Sequence, residues 1–398
     1  MKDMKKLIVV LTLLALLLLC AGCQKHTHTF GEWTVVTAAT CTTDGEQKRS
    51  CECGETETDV LAAGHVPGDP ATCTAAQICT VCNAELAASF GHDFVDYECT
   101  RCDETQYSKG LVFELNQDGE SYAVKGMGDC TDTQIIVPRT HEGKPVTAIA
   151  GGAFWCQNTL QSVVILDSVT SVGNMAFADC EALTSVSLPS GLESISDSVF
   201  SGCTKLLTVN IPDSVTTIGS EAFNGCSRLR SITLPDGVTG IGAKAFAGCS
   251  GIGSIAIPEG VICISDGVFN NCSSLATVTL GSAVTDIGEF AFSGCHRLVS
   301  IMLPESVSRI GPYAFYGCSS LTSLMIPKGV ASIGYSAVSS CNAFATVYYG
   351  GTAEQWTAVQ IGMDNNRLNY AARYYYSETR PSEAGNYWHW VDSVPTKW

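Results

Sequence analysis

Residues 41 to 102 contain the cysteines and histidines whose spacing best suits a metal ion. Cysteines with the spacing Cys-x-x-Cys begin at Cys79 and at Cys99. This spacing suits zinc because a tight turn points both sulfurs at one tetrahedral ion. We therefore predict structural zinc and no other cofactor. The expected ligands are His65, Cys73, Cys79 and Cys82 for one site, and His92, Cys99, Cys102 and an unidentified fourth ligand for another.

A second chemistry is open to the same cysteines. The segment is poor in large apolar residues and cannot build much of a hydrophobic core. In an exported protein, disulfides could staple it instead of zinc, or some thiols could stay without a ligand. Cys51 and Cys53 are separated by one residue, which is poorer spacing for zinc. Under either chemistry, residues 23–105 are interpreted as small Cys/His-rich β modules that are zinc-ribbon-like or disulfide-stapled and serve as a spacer.

Sequence patterns typical of enzymes are missing. The chain has no His-Glu-x-x-His, no Gly-x-Ser-x-Gly and no glycine loop of the phosphate-binding type. His296 beside Cys295 could suggest a nucleophile and its base. Cys295, however, belongs to a periodic column of cysteines, for which we expect burial. The sequence therefore predicts a protein that is not an enzyme.

Most of the chain is organised by a 23-residue repeat. A fixed period of this size indicates a solenoid. We predict a mainly β solenoid from Val146 to Val347, with one short strand plus a short helical turn in each repeat. The two clearest columns are phenylalanine at 154, 177, 200, 223, 246, 269, 292 and 315 and cysteine at 180, 203, 226, 249, 272, 295, 318 and 341.

Each column has a physical role within the repeat. Leu229 and Ile232 are expected to face inward from the strand, Pro235 to end it, and Phe246 to be buried by the following turn. The position after each Phe-x pair is mostly Gly, Asn or Asp, which tolerate a left-handed backbone. We expect the repeat cysteines to be buried thiols that act as small apolar residues rather than disulfides.

The repeat carries a family resemblance. Its pattern, Leu-x-Ser-Ile/Val-x-Ile/Leu-Pro-x-x-Val-x-x-Ile-Gly-x-x-Ala-Phe-x-Gly-Cys, resembles the BspA-type leucine-rich repeat of bacterial surface proteins and covers about half of the chain. The resemblance implies a non-enzymatic surface protein whose solenoid binds macromolecular partners in adhesion or in contacts with host or neighbouring cells. It extends to the tail, where a Tyr-Trp-His-aromatic stretch is similar to the end of other members.

Both ends of the solenoid need covering because its terminal repeats expose apolar faces. Two alternating segments around Asp118 and Gly119 predict a β-hairpin cap over residues 106–145. Residues 348–398 hold four of the six tryptophans and predict an aromatic C-terminal cap. Trp388 and Trp390 could instead form a platform for sugar rings.

Two columns of outward strand positions form the expected binding face. Small β-compatible residues suit a crowded strand face, so the columns could be structural; they could equally present hydroxyls to a protein or glycan. The candidate ligand-binding residues are Ser185, Thr208, Asn210, Ser231, Thr233, Ser254, Thr277, Ser300, Trp388 and Trp390.

The first residues predict export and anchoring. A basic start precedes the apolar run Leu7 to Leu19, which is short for a membrane span and typical of a signal peptide. The stretch from Cys20 to Cys23 resembles a lipobox, so we predict a lipoprotein signal peptide over 1–22 and lipid attachment at Cys23. An ordinary secretory signal is the alternative.

Net charge narrows the choice of partner. The formal charge of −17 should repel nucleic acid and anionic membrane surfaces. We therefore predict a lipid-anchored protein of the bacterial surface, monomeric, with an extracellular protein or glycan as partner and no nucleic acid. The alternative functions are a carbohydrate-binding accessory protein that uses the aromatic C-terminal segment and, less in keeping with the motifs, a secreted hydrolase.

Overall fold

The structure is a computed structural model of the 398-residue chain, and it groups the chain into two compact units, Met1–Thr105 and Gln106–Trp398. The predicted signal peptide 1–22 and Cys23 lie outside the described residues, as do His65, Cys79, Cys82 and Cys102. The described residues are 30–39, 43–52, 54–61, 71–73, 75–78, 80, 85–87, 89, 92, 94–100 and 105–398.

The first unit contains short antiparallel pieces of sheet. β1 (Thr34–Thr37), β2 (Gly45–Ser50) and β3 (Thr56–Leu61) form a three-stranded sheet. Two hairpins follow, the first formed by β4 (Gln77–Ile78) with β5 (Glu85–Ala87) and the second by β6 (Phe94–Val95) with β7 (Glu98–Cys99).

The second unit opens with an antiparallel hairpin where the sequence predicts one. β8 (Val112–Leu115) and β9 (Tyr122–Gly126) flank the turn at Asp118, whose carboxylate accepts hydrogen bonds from the backbone N–H groups of Glu120 and Ser121. β10 (Gln134–Ile136), β11 (Thr140–His141) and β12 (Lys144–Ile149) come next. β9 pairs in parallel with β12, so the hairpin continues the ladder of the repeats.

The repeats form the predicted solenoid, with two series of short parallel strands rather than one. In-register pairs such as Ser162↔Ser185 and Ile195↔Ile218 are 23 residues apart. The first series is β13 (Ser162–Val164), β15 (Ser185–Ser187), β17 (Thr208–Val209), β20 (Ser254–Ala256), β22 (Thr277–Thr279), β24 (Ser300–Met302), β26 (Ser323–Ile326) and β28 (Thr346–Tyr349). The second is β14 (Ser171–Val172), β16 (Ser194–Ile195), β18 (Thr217–Ile218), β19 (Gly240–Ile241), β21 (Cys263–Ile264), β23 (Asp286–Ile287), β25 (Arg309–Ile310), β27 (Ser332–Ile333) and β29 (Gln360–Ile361).

A continuous column of aromatic rings forms the spine of the core. All eight repeat phenylalanines are fully buried, and neighbouring rings stack with centroids 5.1 to 5.7 Å apart. The prediction for Phe223 and Phe246 is confirmed, since their centroids lie 5.4 Å apart at 4° between ring planes. Each repeat therefore completes its core only against its neighbours.

The repeat cysteines lie beside this spine as free, buried thiols, as predicted. Each Sγ donates a hydrogen bond to the carbonyl oxygen of a phenylalanine 26 residues earlier. For Cys203 the acceptor is the oxygen of Phe177, at 3.1 Å. The thiol thus fills a small apolar space and gives a buried carbonyl group a second hydrogen bond, in addition to the one that Phe177 O accepts from Cys180 N at 3.3 Å.

The predicted helical turn of each repeat is a run of turns rather than a helix. Alternate N–H groups point to the next coil: Met175 N donates to Asp197 O at 3.0 Å and Phe177 N to Val199 O at 2.9 Å. The N–H groups between them close local turns, as Ala178 N does with Met175 O. Because half of the donors bond between coils, a regular α-helix cannot form.

The predicted left-handed column is confirmed at every repeat. Its φ angles run from 56° at Asp179 to 76° at Gly225. A second left-handed position, four residues earlier, is occupied mostly by residues other than glycine. Along the repeats, the residues at this second position are Met175, Ser198, Glu221, Lys244, Gly267, Phe290, Tyr313 and Ser336.

Beyond the repeats the first sheet continues to the end of the chain. β30 (Ala372–Tyr376) joins β28 in parallel, β31 (Tyr387–Val391) joins β30 in parallel, and β32 (Val394–Lys397) turns back antiparallel. Two short helices, α1 (Ala353–Trp356) and α2 (Asn366–Tyr370), lie between β28 and β30. No helix among the described residues combines the length and the apolar character that crossing a membrane requires.

Candidate functional site

The outward columns of the solenoid form one exposed face, termed here the strand face. Along each three-residue strand of the first series the middle residue is buried and its neighbours are more exposed, as in β15, where Ser185 and Ser187 flank buried Val186. The predicted ligand positions that lie exposed in these columns are Ser185, Thr208, Asn210, Ser231, Thr233, Ser254, Thr277 and Ser300. The face therefore presents small, uncharged hydroxyl and amide groups at the strand spacing, about 4.8 Å.

The pairing of the first series is interrupted at one repeat. Residues 228–235 form no strand, although Ile232 and Leu234 remain buried and keep the inward positions. A shallow depression of about 340 Å³ lies beside this break, lined by Ser231, Thr233 and their neighbours. The columns of outward side chains thus continue through this repeat, whereas the ladder of strand pairing is interrupted there.

The last hairpin folds back over the strand face and builds a groove. Asp392 and Ser393 have φ angles of 47° and 62°, and this two-residue turn brings β32 against β31. Residues of that turn and of β32 line one cavity, of about 380 Å³, together with β24, β26 and β28. Trp390 lines a neighbouring cavity of about 430 Å³ with Thr277 and Met302.

The groove has an apolar floor and wall. Met302 is 51% exposed and Trp390 is 38% exposed, whereas Met325 beneath them is buried. Hydroxyls of the strand face and the carboxylate of Glu305 lie at its margin. We call this site the C-terminal groove and define it by Met302, Met325, Tyr348, Trp390 and Pro395.

The two tryptophans predicted as a sugar platform differ in exposure. Trp388 is 1% exposed, and its indole Nε1 donates to the carbonyl oxygen of Tyr349 at 2.8 Å. It also makes edge-to-face contacts with Tyr376 and Trp390. The structure therefore gives Trp388 a packing position and leaves Trp390 as the member of the pair that a ligand can reach.

Cys295 and His296 do not form a nucleophile and its base. Cys295 is fully buried, its Sγ donates to the carbonyl oxygen of Phe269 at 3.3 Å, and burial raises the pKa of this thiol well above its usual value. The ring of His296 is exposed, with Nδ1 3.0 Å from the carbonyl oxygen of Gly317. Since a nucleophilic cysteine needs a lowered pKa and access to its base, this pair cannot act as one.

Three of the predicted metal ligands come together in the first unit. One ligand atom each from Cys73, His92 and Cys99 lie within 4.8 Å of one another. The structure thus groups Cys73 with His92 and Cys99, whereas the cysteine spacing predicts Cys73 for a different site. Cys51 is disulfide-bonded. This unit therefore contains both a disulfide and a group of side chains of the kind that binds zinc.

Comparison with protein families identifies the repeat. Residues 147–261 and 240–357, together more than half of the chain, match the model described as BspA type leucine rich repeat region, in 6 copies. The chain belongs to the BspA-type leucine-rich repeat family. Comparison with curated proteins gives no match.

Several solved structures resemble this BspA-type chain. A leucine-rich repeat protein of T. pallidum is 30% identical over 48% of this chain and 88% of its own, with a TM-score of 0.43. One from Bacteroides ovatus is 21% identical over 67% and 98%, with a TM-score of 0.35. A leucine rich cell surface protein of Faecalibacterium prausnitzii is 26% identical over 63% and 96%, with a TM-score of 0.29.

The groove residues of this BspA-type protein were not all accessible to sequence reasoning. Met302, Met325 and Tyr348 do stand out, because these large residues follow one another at 23-residue steps in a column whose earlier positions are smaller. Pro395 carries no such signal. Its proximity to these residues depends on a hairpin at the end of the chain folding over strands some fifty residues or more before it.

Proposed function

We propose that this BspA-type chain is a non-enzymatic protein of the bacterial surface that binds an extracellular protein through its strand face and C-terminal groove. The observation that carries the proposal is the half-exposed pair Met302 and Trp390, held over a regular face of small hydroxyl residues. Large side chains held half-exposed by a rigid scaffold are typical anchors of protein interfaces.

The composition of the groove favours a protein over a glycan. Methionine adapts its shape to a partner's apolar side chains, and tryptophan supplies a large contact area at small entropic cost. A sugar platform would use the flat faces of exposed aromatic rings, but Trp388 is buried and its Nε1 is already paired. Carbohydrate binding through Trp390 alone is the competing function.

Export and anchoring complete the proposal. The leader over 1–22 and the cysteine at position 23 support a lipid-anchored protein, and membership of the BspA-type family supports a place on the bacterial surface. Lipid at the N-terminus would hold the chain on the membrane without a spanning helix. In this proposal the solenoid is a monomer, and its strand face is the surface offered to the partner.

A cell-binding assay tests the choice of partner. The mature chain, residues 24–398 with a fluorescent label, is titrated onto epithelial cells and onto bacterial cells. We expect saturable binding that protease treatment of the cells abolishes and periodate treatment does not. Trp390→Ala and Met302→Ser should each weaken the affinity by about tenfold, the effect of losing a hot-spot side chain.

Matched controls come from the other side of the repeat. Trp155 and Met175 are 57% and 52% exposed and lie in the turn segments outside the strand face. Trp155→Ala and Met175→Ser should leave the affinity unchanged. Equal losses in all four variants would contradict the proposed surface. Periodate-sensitive, protease-resistant binding that is lost on Trp390→Ala would instead support the carbohydrate-binding function.

A further inference from the structure

The described part of the first unit buries no large apolar side chain. Among its described residues, the buried hydrophobic side chains are those of Cys51, Ala71, Cys73 and Cys99. A small fold without a core of large apolar side chains needs covalent or metal staples to stay folded. The disulfide at Cys51 supplies one. A second staple would act at the cluster formed by Cys73, His92 and Cys99.

We propose that Cys73, His92 and Cys99 bind a structural zinc ion. Their ligand atoms lie within 4.8 Å of one another, and the two Sγ atoms are 3.6 Å apart. Bonds of about 2.3 Å to a tetrahedral zinc ion would separate two thiolates by roughly 3.8 Å. A disulfide would need the sulfurs at about 2.05 Å. The observed distance between the two Sγ atoms therefore fits two thiolates bound to one zinc ion and does not fit a disulfide.

Short, defined turns position the three ligands. Cys99 lies on β7 opposite Phe94 of β6, across a two-residue turn in which Asp96 and Tyr97 have φ angles of 49° and 69°. His92 precedes β6, and its ring stacks on that of Phe94 with centroids 5.4 Å apart. This contact fixes the plane of the imidazole, which a metal ligand requires.

The third ligand comes from a separate turn. Cys73 follows Thr72, whose N–H donates to the carbonyl oxygen of Ala75 at 2.8 Å and whose hydroxyl accepts from the N–H of Ala75 at 3.0 Å. This turn is hydrogen-bonded at both of its ends and holds Cys73 at the surface of the β6–β7 hairpin. A metal ion would therefore tie together two pieces of chain that are 26 residues apart.

The donor set selects the metal. Two thiolates and one imidazole are soft or borderline ligands, which favour zinc over magnesium, calcium or manganese. Cys73 and Cys99 are both buried, where a thiolate is costly unless a cation compensates its charge. Cys102, which the sequence alone suggested as a ligand, lies outside the described residues.

Metal analysis of the whole mature chain tests the site. Residues 24–398, purified without chelator, should contain about one zinc ion per chain. Cobalt chloride added to the chelator-stripped chain should give the visible absorption bands of tetrahedral cobalt bound to thiolate. Zinc chloride should protect the thiols of Cys73 and Cys99 from alkylation. These last two measurements use the unaltered sequence and so do not depend on whether a variant folds.

Variants then assign the ligands. Cys73→Ser, His92→Ala and Cys99→Ser should each lower zinc affinity by at least about tenfold. Cys156→Ser, which replaces an exposed thiol of the second unit, should leave zinc content unchanged. A metal-free chain, or a peptide in which Cys73 is disulfide-bonded to Cys99, would overturn the proposal. Neither result would affect protein binding by the solenoid, which rests on other residues.

Discussion

At the scale of single residues, the repeat cysteine combines apolar packing with a hydrogen bond in the core. In each coil its thiol is as buried as the phenylalanine ring and also donates to a backbone carbonyl group. Cys226, for example, is fully buried, with Sγ 3.1 Å from the carbonyl oxygen of Phe200. An alanine there would lose the sulfur's packing contacts and this hydrogen bond, although the oxygen would still accept from the N–H of Cys203 at 3.1 Å.

Because these thiols are buried, the folded chain becomes less stable as the pH becomes alkaline. Burial raises the pKa of Cys272 from 9.0 to about 12. The protonated thiol is therefore favoured in the folded chain, so stability is complete below about pH 9 and falls as the pH rises towards 12. We expect the free energy of unfolding to drop by roughly 1.4 kcal/mol per pH unit for each such thiol in this range.

Urea unfolding at a series of alkaline pH values measures this slope. Cys272→Ala should reduce the slope by the share of one thiol, whatever it does to stability at neutral pH. Replacing the exposed Cys156 by alanine should leave the slope as it is in the unaltered chain. If Cys272→Ala unfolded with the same pH slope as the unaltered chain, burial of the thiol would not be coupled to folding.

At the scale of elements, the turn around each phenylalanine sets the path of the coil. One residue before and one residue after the phenylalanine adopt left-handed φ angles, and alternate N–H groups in this stretch bond to the next coil. The turn therefore both reverses the chain and adds a rung between coils. The left-handed position after the phenylalanine is glycine in five of the eight repeats, where an added Cβ would strain the backbone.

A glycine substitution isolates this strain. Gly225 has φ of 76°, and an added Cβ would meet nothing closer than the backbone N of Gly202 at 3.7 Å. Gly225→Ala should therefore lower the free energy of unfolding by about 1 to 2 kcal/mol through backbone conformation alone. Urea unfolding at neutral pH measures the change.

Gly253→Ala is the matched control. Its φ lies outside the left-handed range and its added Cβ would have no atom within 4 Å. This variant should be as stable as the unaltered chain or slightly more stable, because alanine restricts the unfolded state. A Gly225→Ala protein as stable as Gly253→Ala would mean that the turn does not require a left-handed backbone.

The same turns show where sequence reasoning succeeded and where it stopped. The column from Asp179 to Ser340 was predicted because Gly, Asn and Asp tolerate a left-handed backbone. The other column, with Met175 and Lys244, carries no such signal, since the hydrogen bonds between coils impose the conformation on whatever residue is there. A helix was predicted because a phenylalanine followed by glycine resembles a helix end, and local pattern does not register bonds to the next coil.

The candidate sites likewise include one that the sequence predicted and others that it did not. Periodicity was enough to place Ser185, Thr208 and the rest of the strand face, because columns in register are a direct consequence of the repeat. The C-terminal groove was not accessible, since it depends on Trp390 reaching strands far earlier in the chain. Cysteine spacing likewise gave the ligand types in the first unit, but the pairing of Cys73 with Cys99 crosses from one local module to another.

At the scale of the whole solenoid, stacked coils turn a short motif into a surface. Each coil contacts only its neighbours, so the position of any outward side chain is fixed by the coils on either side of it. The C-terminal groove lies at the end of this series, where β28, β30, β31 and β32 continue the sheet and curl over it. The rigid coils beneath let Met302 and Trp390 remain half-exposed without collapsing into the core.

Site-specific photocrosslinking tests most directly that this surface binds a partner. The mature chain carries p-benzoylphenylalanine at position 302, in the groove, or at position 175, which is equally exposed but lies in the turn segment. After illumination on intact target cells, we predict a covalent adduct to a cell-surface protein from position 302 and none from position 175. Adducts formed from both positions alike, or from position 175 alone, would contradict binding through the strand face.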